Sequence, residues 1–361
     1  MDNRDVLAIG TSAGGVEALL HLAKHFEPGL PASVFVTIHS APDFRSSLDE
    51  LLTRAGPLPA RFASDGERYS KGQIYIAPAN RHLLIERDRI VLGNGPRENN
   101  ARPAIDPMMR SIALCCGPRA IGVVLTGTMG DGASGLWTLD CCGGITVVQD
   151  PKDAAFAEMP TNALKKVQPD HLLGLAEMPK LFANLARQSA GETSPVPDNI
   201  PFEVDIARGE SSTADRMEKM ERAEKTRKMG RMDRMGMMDQ FGRRSVFACP
   251  DCNGVMWEIG EGNLVRYRCH IGHAYTAEVM SLALDENLRR ALSTALRTLE
   301  DRVALALRLQ RQAEHQQRPL TAASWETRAA EFEKELMTIR QAMRRIDQIT
   351  VRQPTDVEQM E

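Results

Sequence analysis

Through the first half of the chain, solid apolar runs alternate with longer stretches in which apolar residues recur at helical intervals. Val6-Leu7-Ala8-Ile9 is the first run, and an unbroken apolar segment of this kind predicts a strand buried in a parallel sheet. Gly10, Gly14 and Gly15 come next and permit a tight turn. Val16, Leu19, Leu20 and Ala23 then mark a helix running to His25. The same alternation predicts strands at 33–39, 72–77, 121–126 and 145–149, and a hairpin over 82–92 that turns at Arg87-Asp88. Helices are predicted at 44–52, 104–116, 133–141, 153–157, 161–167 and 179–187. Strands and helices interleaved in this order predict the α/β class: a doubly wound, mostly parallel, Rossmann-like sheet with helices on both faces.

The pattern changes after residue 188. Ser194-Pro195-Val196-Pro197 and the stretch 209–212 have linker composition, and Phe202–Ile206 alternates like a short strand. Residues 216–244 are rich in charge and hold seven of the chain's eighteen methionines, several at helix-like intervals, with Gly230 and Gly236 weakening any helix. Such a segment is either a solvated linker or a Met-rich stretch that folds on a partner. Two long helical patterns, 277–312 and 321–350, lie on either side of Pro319. The first carries Leu288, Leu292, Leu296, Leu299 and Val303. The second carries Trp325, Ala329, Phe332, Leu336, Ile339, Met343 and Ile346, spaced alternately four and three apart as in a heptad seam. An antiparallel helical hairpin is the simplest outcome; the seam also leaves room for a homodimer through these helices or a docked receptor helix. The chain therefore divides into a domain at 1–188, a Met-rich charged linker at 189–245, a small module at 246–276 and a helical hairpin at 277–361.

Composition narrows the function classes. At 361 residues with a net charge of -3, the chain has no global attraction for nucleic acid or anionic membrane. No apolar run is long enough to insert in a bilayer. The first strand begins within a few residues of the N-terminus, which leaves no room for a signal peptide and predicts a cytoplasmic protein. The seven cysteines are then expected as reduced thiols or metal ligands, with Cys115-Cys116 and Cys141-Cys142 as packing residues.

Ser12 lies at the crest of the first turn, in Gly10-Thr11-Ser12-Ala13-Gly14, the G-x-S-x-G pattern that presents a nucleophile between strand and helix. The bland alternative is a phosphate cradle or a plain turn. His39 ends the second predicted strand, and Asp131 follows a later one in Thr126-Gly127-Thr128-Met129-Gly130-Asp131-Gly132. Taken singly, the histidine could be a polar strand end and the aspartate a helix N-cap. Together they stand at the carboxyl ends of parallel strands, the edge at which such sheets bind ligands, and make up the parts of an acyl-transfer triad. A dinucleotide site would want an acid at the end of the second strand, where His39-Ser40 stands. An α/β-hydrolase would want several strands before its elbow.

Residues 6–187 resemble the catalytic domain of the chemotaxis protein-glutamate methylesterase family. The resemblance is carried by Ile9–Gly15, His39 with Pro42-Asp43-Phe44-Arg45, Ile74–Pro78 with Arg81-His82, Arg102–Asp106, Leu125–Gly127 with Asp131–Ala133, and Gly143–Pro151. It implies Ser12 as nucleophile, His39 as general base and acid, and Asp131 as the orienting carboxylate. The backbone amides of Ala13 and Thr128 would hold the oxyanion. The implied reaction is hydrolysis of glutamate methyl esters on chemoreceptor-type proteins, with glutamine deamidation as a second activity. Two departures stand out. The receiver domain usual in the family is not expected ahead of this domain, and Thr128 stands where the family has methionine. Arg102 is a candidate to steer an acidic receptor surface. A second class of function, a catalytically weak scaffold protein of a signalling array, finds its best support in Thr128.

The module at 246–276 contains Cys249-Pro250-Asp251-Cys252 and, after two strand-like runs, Cys269-His270-Ile271-Gly272-His273. Cys249, Cys252, Cys269 and His273 are the expected ligands of a tetrahedral, closed, structural zinc, with His270 beside them. A catalytic zinc would keep an open position, and a redox C-x-x-C would sit in thioredoxin-like surroundings. The block also resembles the C-terminal extension of receiver-less members of the same family. No cofactor is expected for the hydrolysis itself.

Overall fold

The computed structural model describes residues 3–39, 46–209, 234–262 and 264–351. The predicted linker methionines at 217, 220, 229 and 232, and the motif piece at 42–45, lie outside the described residues. Residues 1–280 form one compact unit and 281–361 a second.

In the first unit, β1 (Val6–Thr11) leads into α1 (Gly15–His25), then β2 (Ser33–Ile38), α2 (Leu48–Ala55), β3 (Ala60–Phe62) and β4 (Ile74–Ile76). The hairpin β5 (His82–Glu86) and β6 (Arg89–Gly93) precedes α3 (Ile105–Cys116), β7 (Ala120–Val124), α4 (Ala133–Cys141) and β8 (Ile145–Gln149). After these come α5 (Glu158–Lys166), β9 (His171–Leu173), α6 (Met178–Leu185), α7 (Ile200–Arg208) and α8 (Arg234–Phe241). The sheet order is β3-β4-β2-β1-β7-β8-β9, and all its neighbours are parallel. Leu7 and Ile9 of β1 face one apolar layer with Leu22, Val36 and Phe182. Val6 and Ala8 face the other, with Ile105, Met109 and Leu136. Two covered faces explain why the strands read as solid apolar runs. Successive strands lie to one side of β1 and then, from β7, to the other, so the chain reverses there, the place where open sheets form a crevice.

The second sheet is antiparallel, with β10 (Arg243–Ala248), β11 (Val255–Glu261), β12 (Leu264–Cys269) and β13 (Ala274–Thr276) in sequential order. It does not stand apart. Glu98, Arg110, Glu203, Glu261, Arg266 and Arg268 are all buried, three acids against three bases, between this ribbon and the parallel-sheet domain. Glu203 takes Arg266 at 2.6 Å and Arg268 at 2.8 Å, Glu98 takes Arg268 at 2.9 Å and also Arg110, and Glu261 pairs with Arg266 and accepts the Ser134 hydroxyl at 2.7 Å.

Several expectations are corrected. Phe202–Ile206 is helical, not a strand, and packs as part of α7 within the stretch expected to be linker. Its alternation misleads because Glu203 looks like a solvent-facing residue but is a buried counter-ion. Residues 153–157 form turns, since the Asp153 side chain accepts from Gln149 and the Leu175 amide, each at 2.8 Å. The three-residue edge strands β3 and β9 are too short for a periodicity to register.

The second unit contains most of α9 (Ala277–His315) and α10 (Pro319–Val351). Arg289 pairs with Asp347 at 3.3 Å and Arg340 with Glu300 at 2.7 Å, an antiparallel arrangement. Ala329 and Leu336 of the predicted seam are buried, whereas Leu288 is exposed and the facing seam runs instead to Ala306. Among the described residues, no helix is long and apolar enough to cross a membrane.

Candidate active site

The three predicted residues arrive at one rim through strand register. Thr11 pairs with Ile38 in the last rung between β1 and β2. One residue further, the His39 amide donates to Thr11 O at 3.3 Å, and the Ser12 amide donates to Thr126 O at 3.1 Å. Ser12 is therefore flanked by His39 on one side and by the loop after β7 on the other. Gly14, at φ 72°, takes the left-handed conformation that starts α1. A Cβ on Gly127 would lie 2.9 Å from the Ser12 Cβ, so this glycine clears the space beside the hydroxyl.

Asp131 is buried and collects five donors. Oδ2 accepts from His39 Nε2 at 2.7 Å and the Ile105 amide at 2.6 Å. Oδ1 accepts from Asn99 Nδ2 at 3.0 Å, the Asp106 amide at 3.2 Å and the Gly132 amide at 3.0 Å. Burial alone would raise its pKa, but the hydrogen bonds, with that from His39 foremost, hold it down to about 2. Asp106 goes the other way: burial and the neighbouring Asp131 charge push it up to about 8. With the carboxylate on Nε2, Nδ1 is the imidazole nitrogen left for another partner. Serine proteases of the chymotrypsin type use the two nitrogens the other way round, with Nε2 towards the serine and Nδ1 towards the carboxylate.

The loop 126–132 is held from several directions. Thr126 Oγ1 donates to Ala13 O at 3.1 Å and accepts from the Phe156 amide at 2.8 Å. The Gly127 amide is consumed by Phe156 O at 3.0 Å, and Asn162 Nδ2 fixes Met129 O at 2.9 Å. Among the described residues, the Ala13 and Thr128 amides donate to no backbone carbonyl. Arg102 is held by neutral acceptors, Asn80 Oδ1 on its Nη2 at 2.6 Å and Gly95 O on its Nη1 at 2.8 Å, which orient the guanidinium without cancelling its charge. Sequence reasoning missed Asn99, Asp106 and Asn162. Asp106 reads as an ordinary acid in a first helical turn, and nothing local in the sequence signals the other two.

The predicted ligand set also assembles. The donor atoms of Cys249, Cys252, Cys269 and His273 all lie within 4.8 Å of one another and could hold a metal ion. Cys252 and Cys269 sulfurs are 3.6 Å apart, and His273 Nδ1 lies 3.4 Å from Cys269 Sγ and 3.7 Å from Cys249 Sγ. A tetrahedron with metal–sulfur bonds near 2.3 Å has edges of about 3.8 Å, so the donor set fits. His270 is outside it and packs over Gly254, where a Cβ would lie 2.1 Å from its ring. Gly272, at φ 119°, turns the second knuckle against Ile206 of α7.

A serine, a histidine–carboxylate pair and undonated amides at the carboxyl edge of a parallel sheet define the class: an α/β domain built like an acyl-transfer hydrolase. Residues 7–182 match the family model described as CheB methylesterase. The protein-glutamate methylesterase/protein-glutamine glutaminase of Pectobacterium atrosepticum is 35% identical over 196 residues, 53% of this chain and 55% of that protein. The protein of the same name numbered 4 in Anaeromyxobacter dehalogenans is 38% identical over 191 residues, 52% of this chain and 53% of that protein. The chain thus spans about half the length of the curated relatives it matches. The solved CheB methylesterase catalytic domain of Thermotoga maritima aligns at 28% identity and TM-score 0.49, over 51% of this chain and all of that one.

Proposed function

We propose that the protein is a serine hydrolase that removes methyl groups from glutamate methyl esters, and ammonia from particular glutamines, on chemoreceptor-type proteins. The observation that carries the reading is the buried Asp131 carboxylate 2.7 Å from His39 Nε2, beside Ser12 at the sheet edge. His39 Nδ1 takes the Ser12 proton as Oγ attacks the ester carbonyl. The Ala13 and Thr128 amides receive the oxyanion. Collapse of the tetrahedral intermediate expels methanol, with the proton returned from His39, and water then releases the free glutamate by the reverse relay. The amides act through the backbone, so Thr128 in place of methionine is compatible with this step.

A zinc held by Cys249, Cys252, Cys269 and His273 would be structural, because four protein donors close the site. The relatives' names supply the substrate class, and the parallel-sheet domain supplies the chemistry. The ribbon and the helical pair serve positioning or regulation, with a homodimer through the helices as one form this could take. A chemoreceptor's modification sites are cytoplasmic, so this reading also puts the protein in the cytoplasm. The deciding experiment is methanol release from methylated receptor. Ser12→Ala is expected to cut it by about 10⁴-fold or more. Equal release by that variant would remove Ser12 from the mechanism, and no release by the unaltered protein would favour a scaffold.

A further inference from the structure

Asn99 is buried and touches both the ribbon and the hydrolytic rim. On the ribbon side, its amide donates to Ala274 O at 2.8 Å, while the Ala274 amide donates to Arg97 O at 3.4 Å. The Thr276 amide, at the end of β13, donates to Asn99 Oδ1 at 3.0 Å. On the rim side, Asn99 Nδ2 donates to Asp131 Oδ1 and to Asp106 Oδ2, each at 3.0 Å. The backbone of Asn99 is left-handed, at φ 50°, a conformation that Asn and Asp tolerate better than other side chains.

A carboxamide has one accepting end and one donating end. The Thr276 N–H can be met only by the oxygen, which turns the NH₂ towards the two carboxyls. Reversed, the oxygen would face the Asp131 carboxylate and the NH₂ would face an N–H. The ribbon thereby fixes which end of Asn99 the rim receives. Glu98, one residue earlier, is pinned to Arg268 of β12 at 2.9 Å. A Cβ on Gly130 would come within 3.5 Å of Thr276 Oγ1, so β13 lies against the loop that carries Asp131.

We propose that Asn99 is a positioning residue of the Ser12 centre, oriented by the Thr276 amide, so that the closing strand of the ribbon is part of what holds Asp131 and His39 in working geometry. The proposal rests on the hydrolase reading above. It makes the ribbon a component of the rim, not a separate appendage.

The test uses the full chain. Asn99→Ala removes the NH₂ that Asp131 and Asp106 receive without setting a new charge beside them, while the Asn99 amide still donates to Ala274 O and holds ribbon to domain. Asn99→Asp keeps the backbone preference and an acceptor for Thr276 but sets a third carboxyl beside Asp131, so it reads donor and charge together. Loss of a hydrogen bond to a charged group is expected to lower kcat for methanol release by about 10- to 100-fold in both Asn99→Asp and Asn99→Ala, with KM within about threefold of the original. Thr276→Pro removes the amide donor, whereas Thr276→Ala keeps it, and the proline variant is expected to fall about tenfold below the alanine variant. The double variant Asn99→Asp/Thr276→Pro should lose no more than Asn99→Asp alone, because both break one chain of contacts.

A readout independent of turnover is the downfield proton resonance of the His39 imidazole N–H bonded to Asp131, identified by its absence in His39→Gln. It should shift in Asn99→Ala, in Asn99→Asp and in Thr276→Pro. Original kcat and resonance in Asn99→Ala, or multiplying losses in the double variant, would overturn the proposal. If the unaltered protein shows no release sensitive to Ser12→Ala, the hydrolase reading fails, and the resonance still decides whether the ribbon orients Asp131.

Discussion

The rim around Ser12 and the knuckles around Cys249 and Cys269 are built in opposite ways. The rim draws its groups from strand ends and loops far apart in the chain, and Asp131 alone takes donors from positions 39, 99, 105, 106 and 132. The cluster of four ligands needs only two short turns, 249–252 and 269–273, brought together by the β11–β12 hairpin. The first is a product of a whole parallel sheet, and the second of local spacing plus, in our reading, one ion. Between them lies a third kind of structure, the buried set of three arginines and three glutamates, which belongs to neither site and fastens one to the other. Such a set adds little net stability compared with an apolar core of the same shape, but it is costly to break on one side. It therefore fixes where the ribbon sits more than how stable it is.

A single substitution does most damage at the rim. Asp131→Asn keeps the shape but removes the charge that orients His39, and is expected to lower methanol release by about 10⁴-fold while leaving metal content unchanged. Cys269→Ser does the reverse first: elemental analysis should find the single equivalent of zinc lost. Amide hydrogen exchange should then quicken in 243–276 before it quickens in the parallel sheet. Full zinc retention in this variant would detach the cluster from metal.

Glu203→Gln sharpens the role of the fastening. It leaves three buried arginines with two carboxylates, removing the charge now 2.6 Å from Arg266 and 2.8 Å from Arg268, and should cost about 3–5 kcal/mol in denaturant unfolding. A loss within experimental error would mean that Glu98 and Glu261, which already hold the arginines, suffice to balance them. A further effect is in pH. Asp106, raised by burial and by Asp131 to about 8, contributes stability that is complete below its unfolded pKa near 4. That contribution is lost as pH rises through 8, with a slope of at most ~1.4 kcal/mol per pH unit. Asp131, held down to about 2, contributes stability present above about pH 4 and lost as pH falls through 2. Asp106→Asn should flatten the slope between pH 5 and 8 in urea titrations and leave the acid limb in place.

Much was legible from sequence. The solid run Val6–Ile9 and its successors forced buried parallel strands, because a sheet covered on both faces has no polar side to show. Strand ends then put Ser12, His39 and Asp131 on one rim, and knuckle spacing brought Cys249, Cys252, Cys269 and His273 together. These features rest on periodicity and short-range geometry, which sequence encodes directly. The features that no local pattern encodes are polar and long-range. Glu203 looks exposed by pattern and is buried because arginines from another sheet meet it. Asn99 looks like a turn residue and becomes a bridge because its two amide ends face two different elements. A buried polar residue is acceptable only where its partner arrives, and that partner comes from a part of the chain that no local pattern specifies.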